Sequence, residues 1–151
     1  MTTAVIRDIA ATDHPAWLAL WDEYCHFYRV RIPPEVTAAT WQRLMAIDGP
    51  LHGLVAERDG QVIGFTFYLF HASSWSLHGD CYLEDLYVAE ASRGGGAARA
   101  LITEVYARAD RQQSGRVYWQ TQQYNAPARA LYDTLANVTS NVQYERRLPP
   151  A

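Results

Sequence analysis

Cys81-Tyr82-Leu83-Glu84-Asp85-Leu86-Tyr87-Val88, followed closely by Arg93-Gly94-Gly95-Gly96-Ala97-Ala98, is the stretch on which the fold turns. Its first half is rich in aromatic and branched residues and predicts a strand. After the glycines, Leu101, Ile102, Val105 and Tyr106 recur at helical spacing, which predicts a helix from about Ala97 to Ala109. Strand, glycine turn and helix together form an anion grip. The first amides of the helix lack partners, the helix dipole favours negative charge there, and glycines let the backbone approach a ligand. A run of glycines alone is equally what a flexible surface loop contains. Two phosphate-binding patterns are excluded by the residues themselves. A GxGxxG fingerprint starting at Gly94 and Gly96 has Arg99 at its third small position, and no Lys-Ser/Thr pair completes a P-loop. The turn also falls in the second half of the chain, whereas a dinucleotide fold carries it after the first strand.

Upstream, Val5 to Ile9 alternates as a first strand, and Thr12-Asp13-His14-Pro15 supplies an N-cap and a proline in the first helical turn. Trp17, Leu20, Trp21, Tyr24, Phe27 and Tyr28 then predict a helix to about Arg29, stopped by Pro33-Pro34. Glu35 to Met45 reads as a second helix. Gly53–Glu57 and Gln61–Leu69 flank Arg58-Asp59-Gly60 as a hairpin. Downstream, the pattern predicts a strand over Arg116–Thr121, a short helix over Ala126–Leu135 with Pro127 in its first turn, and a closing strand over Val142–Leu148. The order predicts one α/β (α+β) domain over residues 1–151, with a mixed sheet and helices on both faces.

Composition narrows the function. The chain has 151 residues, 49% hydrophobic and 19% charged, with a net charge of -3. That balance suits a globular domain and argues against a nucleic-acid binder. Apolar runs are far short of the roughly 20 residues a membrane helix needs, and no leader pattern opens the chain. A cytoplasmic protein with no membrane partner is expected. Cys25 and Cys81 form no CxxC pair, and His14, His26, His52, His71 and His78 show no HxxxH or HExxH spacing, so no metal is expected.

Arg93, Gly96 and Ala98 fit the pattern Arg/Gln-x-x-Gly-x-Gly/Ala, and Asn125-Ala126-Pro127-Ala128-Arg129-Ala130-Leu131-Tyr132 fits a second pattern, N-x-x-A-x-x-L-Y. With both motifs in order, the chain resembles the GNAT superfamily of N-acetyltransferases over nearly its whole length. The resemblance implies a mixed, mostly antiparallel sheet flanked by helices, acetyl-CoA as co-substrate, and a homodimer. It assigns the coenzyme pyrophosphate to Arg93, Gly94, Gly95, Gly96, Ala97, Ala98 and Arg99. The pantetheine arm would pair with the main chain of Leu86, Tyr87 and Val88, one of whose amides would polarise the thioester. Asn125 and Ala128 would complete the coenzyme contacts. Tyr132 would protonate the departing thiolate, as the pKa values of a thiol and a phenol allow.

Trp75-Ser76, Tyr82 to Val88 and Val117 to Thr121 resemble the branch holding diamine (spermidine/spermine) acetyltransferases and the fungal histone and D-amino-acid acetyltransferases. Glu84 is the candidate proton acceptor from the amine and an acceptor-binding residue; an ordinary exposed strand-edge glutamate would look the same. Strict alternation sends Asp85 to the other face unless a bulge re-aims it. Diamine enzymes carry an acidic residue late in the first helix, where this chain has Phe27-Tyr28, followed by Arg29 and Arg31. The two arginines are either solvated charges or ligands for a substrate carboxylate. Tyr28, Arg29, Arg31 and Thr121 are thus the further acceptor-side candidates, and the acceptor stays open among small amines, amino acids and protein lysines. A non-catalytic acyl-CoA-binding regulatory module would share the glycine turn, but Tyr132 and Glu84 together favour an enzyme.

Overall fold

The computed structural model describes residues 2–149, in two compact units, the first ending at Gln120 and the second beginning at Thr121. The first unit contains β1 (Val5–Asp8), α1 (His14–Phe27), α2 (Pro34–Met45), β2 (His52–Arg58), β3 (Gln61–His71), β4 (Asp80–Val88), α3 (Ala97–Arg111) and β5 (Val117–Tyr118). The strands lie side by side in chain order. All neighbours are antiparallel except β4 and β5, which run parallel because α3 carries the chain back between them.

Asp59 and Gly60 both have positive φ, +51° and +79°, and close the β2–β3 hairpin as the paired left-handed residues of a two-residue turn. Val55, Phe65, Phe67 and Tyr87 form one face of the sheet and bury Trp17, Leu20 and Trp21 of α1 together with Leu44 of α2. Trp17 and Trp21 stack at 5.5 Å, and Trp21 lies 5.8 Å from Phe67. The alternate residues face α3, whose Leu101, Ile102 and Val105 are fully buried. Helices thus cover both faces, as the sequence order predicts.

The expected cap of α1 is used differently. Asp13 precedes the helix, but its carboxylate makes no capping bond; it pairs with Arg7 at 2.7 Å and accepts the Ala10 amide at 2.7 Å. This ties the helix entrance to β1, and the Arg7 guanidinium holds the Asp13 carboxyl below the usual carboxylate range.

The second unit holds α4 (Ala126–Tyr132) and otherwise irregular chain. Two expectations fail here. The helix stops at Tyr132 rather than Leu135, and residues 142–148 form no strand. Val142, Tyr144 and Leu148 do alternate, yet they stay exposed. Alternation specifies which side chains share a face; a strand also needs a partner edge, which sequence periodicity does not supply. The expected strand over 116–121 likewise shrinks to Val117–Tyr118. Its pairing with β4 ends at Tyr82, just before β4 changes register.

Candidate active site

β4 is the centre of the site. It pairs with β3 along its length, with Phe67 opposite Asp85 but Tyr68 opposite Leu83, so Glu84 is the extra residue of a β-bulge. Glu84 is exposed, and its charge adds to the burial that raises the pKa values of Tyr24, Tyr82 and Asp85. Asp85 faces α1 itself, where the Tyr24 hydroxyl donates to its Oδ1 at 2.7 Å. Burial pushes the Asp85 carboxyl up to about 6, against the Tyr24 bond, with the Glu84 charge adding to the rise. Burial and the Asp85 charge drive the Tyr24 phenol well above its usual range. On the neighbouring strand, the fully buried Thr66 donates its hydroxyl to the Asp85 carbonyl at 2.7 Å.

β5 leaves β4 after Tyr82, so the β4 edge from Leu83 through Leu86, Tyr87 and Val88 has no strand partner on that side among the described residues. Unpaired main-chain groups on a strand edge are a template for an extended, amide-bearing ligand.

Beyond Val88, a short 3₁₀ turn leads to the glycines. Gly94 and Gly96 have φ of +85° and +84°, and a Cβ on either would meet no atom within 4 Å. Backbone conformation, rather than crowding, restricts these positions to glycine. Gly96 is the N-cap of α3 and its carbonyl accepts the Ala100 amide, so the amides at Ala97 and Ala98 begin a 15-residue helix. Arg99, in the first turn, is exposed. The Arg93 side chain does not point along the turn. Its Nε donates to the Val88 carbonyl at 3.1 Å, and its guanidinium lies 5.3 Å from the Phe27 ring and 5.5 Å from Tyr87. Arg93 thus ties the end of β4 to the end of α1.

On the acceptor side, Tyr28 caps α1 and meets Tyr24 edge-on at 4.9 Å. Arg29 follows in a left-handed conformation, φ +53°, which ends the helix two residues earlier than its periodicity predicts. Arg29 and Arg31 are both exposed, and neither makes an ion pair among the described residues.

Within the second unit, Asn125 is the N-cap of α4. Its carbonyl accepts the Arg129 amide at 3.0 Å, and its Nδ2 reaches Thr121 Oγ1 at 3.4 Å. Ala128 lies one turn into α4 and Tyr132 ends it, both half-buried.

Sequence reasoning missed Tyr24 and Thr66. Tyr24 reads as one more apolar position of α1, and Thr66 as one more strand residue. The one signal available was a hydroxyl placed where phenylalanine or valine would satisfy the pattern equally well.

Residues 17–136 match the acetyltransferase (GNAT) family. The chain is 40% identical over 144 residues, 94% of its length and 89% of the relative's, to the D-amino-acid N-acetyltransferase HPA3 of Saccharomyces cerevisiae. It is 30% identical over 72% of its length, and 55% of the relative's, to a phosphinothricin N-acetyltransferase of Alcaligenes faecalis. In fold it is similar to a ribosomal-protein-alanine N-acetyltransferase of Brucella melitensis, with a TM-score of 0.82 at 21% identity, covering 97% of this chain and all of that one. It is similar too to the aminoglycoside acetyltransferase AAC(6')-Iy bound to a CoA bisubstrate analogue, with a TM-score of 0.82 at 20% identity over 98% of this chain and all of that one. The bulged β4, the glycine turn opening α3 and this agreement across most of the sequence make the chain an N-acetyltransferase of the GNAT family.

Proposed function

We propose that the chain transfers the acetyl group of acetyl-CoA to the primary amine of a free amino acid, D-enantiomers included, by direct attack in a ternary complex. The observation that carries this reading is the 40% identity to a D-amino-acid N-acetyltransferase across 94% of the chain. Two features of the site support it. The unpaired β4 edge beside a helix start suits the pantetheine and pyrophosphate of a coenzyme A thioester. Arg29 and Arg31, exposed and without carboxylate partners among the described residues, suit the carboxylate that an amino acid carries and a polyamine lacks.

In this reading the glycine turn and the first amides of α3 hold the pyrophosphate, and the main chain of Leu86, Tyr87 and Val88 pairs with the pantetheine. Glu84, directly or through water, takes the proton of the acceptor ammonium, since an alkylammonium has a pKa of about 10.4 and only the free amine is nucleophilic. The amine nitrogen bonds to the thioester carbon, a β4 amide donates to the developing oxyanion, and the C–S bond then breaks. Tyr132 gives its proton to the thiolate and regains one from the acylated nitrogen, which becomes the neutral amide, while Glu84 releases the first proton to water. Free coenzyme A and the N-acetylated amino acid leave. The enzyme acts in the cytoplasm as a homodimer.

Thiol release from acetyl-CoA, measured over a panel of D- and L-amino acids, polyamines and basic peptides, tests the proposal. Release with amino acids, and mass spectra showing one added acetyl on the α-amine, are expected. Release only with polyamines or peptides overturns the acceptor assignment. No release with any amine overturns catalysis in favour of a coenzyme-binding module.

A further inference from the structure

Two hydroxyls converge on one residue, one from the neighbouring strand and one from α1. Thr66 is fully buried in the run Ile63-Gly64-Phe65-Thr66-Phe67, and its hydroxyl donates to the Asp85 main-chain carbonyl at 2.7 Å. Tyr24, packed among Trp21, Phe65 and Tyr87, donates to the Asp85 carboxylate at 2.7 Å. Valine fills the volume of threonine and suits a buried strand better; phenylalanine fills the volume of tyrosine in an aromatic cluster. Each hydroxyl therefore adds one bond that packing does not require, and both bonds end on Asp85.

Asp85 immediately follows the bulged Glu84. A bulge leaves its extra residue without an opposite number, so the ladder is locally disrupted and the strand there is held by fewer cross-strand bonds. A bond from the neighbouring strand to the Asp85 main chain, and one from α1 to its side chain, fix that residue on both sides of its Cα. Slippage of β4 would break both bonds together. We propose that Tyr24 and Thr66 are positioning residues that clamp Asp85 and so hold the β4 bulge in the register that presents Glu84 to the acceptor. The catalytic part rests on the function proposed above; the clamp itself does not.

The glycine turn and α3 are held by their own backbone geometry, so loosening the bulge should spare the pyrophosphate grip while it disturbs the β4 edge beside Asp85. Thr66→Val and Tyr24→Phe keep shape and remove the hydroxyls; Thr66→Ser restores one. In each of the first two, kcat with the best amino-acid acceptor is expected to fall about 10- to 100-fold, the size of effect that misplacing a reacting group brings. Thr66→Ser should recover most of the loss. Amide hydrogen exchange at Glu84 and Asp85 should speed up in Thr66→Val and return towards the wild-type rate in Thr66→Ser, whether or not an acceptor is found. If the wild type releases no thiol with any amine, the functional reading fails and the exchange rates alone judge the clamp. Unchanged exchange in both folded variants, or Thr66→Ser exchanging as fast as Thr66→Val, overturns it. Faster exchange with kcat retained in an active enzyme overturns its catalytic part. Should Thr66→Val not fold, Tyr24→Phe carries the same test from the other side of Asp85.

Discussion

Asp85→Asn should make the protein more stable at neutral pH and leave its stability unchanged in acid. Asparagine keeps an oxygen for the Tyr24 hydroxyl and nearly the same volume, but it carries no charge. Asp85 is held by the Tyr24 hydroxyl and pairs with no cation among the described residues, and burial raises its carboxyl from 3.8 to about 6. The folded state therefore binds this proton more tightly than the unfolded state does. The associated stability is fully present below 3.8 and is lost as pH rises through about 6. That displacement corresponds to about 3 kcal/mol above the upper pKa, at about 1.36 kcal/mol per pH unit, and solvent reaching the partly buried side chain makes this an upper figure. Asp85→Asn should recover about 2 kcal/mol at neutral pH, or roughly 4–8 °C in Tm for a chain of this size. Urea unfolding of both proteins across the pH range from acid to neutral measures the gap, in which the carboxylates not coupled to Asp85 cancel. A gap that does not change with pH, or an Asn variant less stable at neutral pH, would refute the reasoning. A chain that keeps a destabilising carboxylate next to its proposed base is trading stability for the arrangement of its site.

Tyr132→Phe should lower kcat about 10²- to 10⁴-fold while changing the coenzyme A Kd little, as expected for loss of a general acid; stopped-flow thiol release with isothermal titration separates the two. Glu84→Gln should reshape the pH dependence of kcat/KM for the acceptor, and an unmoved profile reassigns the base. Gly96→Ala should cost about 1–2 kcal/mol, because alanine resists the φ of +84° at the α3 N-cap, and should weaken coenzyme binding as well. Arg93→Lys should behave like Arg93→Ala, each losing about 1 kcal/mol by thermal melting, since lysine cannot both donate sideways to the Val88 carbonyl and lie flat over Phe27 and Tyr87.

By itself, the sequence determined the parts that short contiguous segments encode. The strand, glycine turn and helix from Cys81 onward, the Asp59-Gly60 hairpin and the helix opening at Asn125 all appear at the expected places, because propensity, positive φ and helix starts are properties of neighbouring residues. The two motifs in order were enough to name the family. Tertiary structure decided everything that depends on residues far apart in the chain. The bulge at Glu84 exists only in register with β3, and Tyr24 meets Asp85 across 61 positions. Arg93 matched a phosphate motif, yet its side chain folds back on β4 and α1 because Val88, Tyr87 and Phe27 are there to receive it. Residues 142–148 had the alternation of a strand and found no ladder. Periodicity tells a chain which side chains belong together; register, partner edges and the convergence of two hydroxyls on one aspartate are set only when distant segments pack.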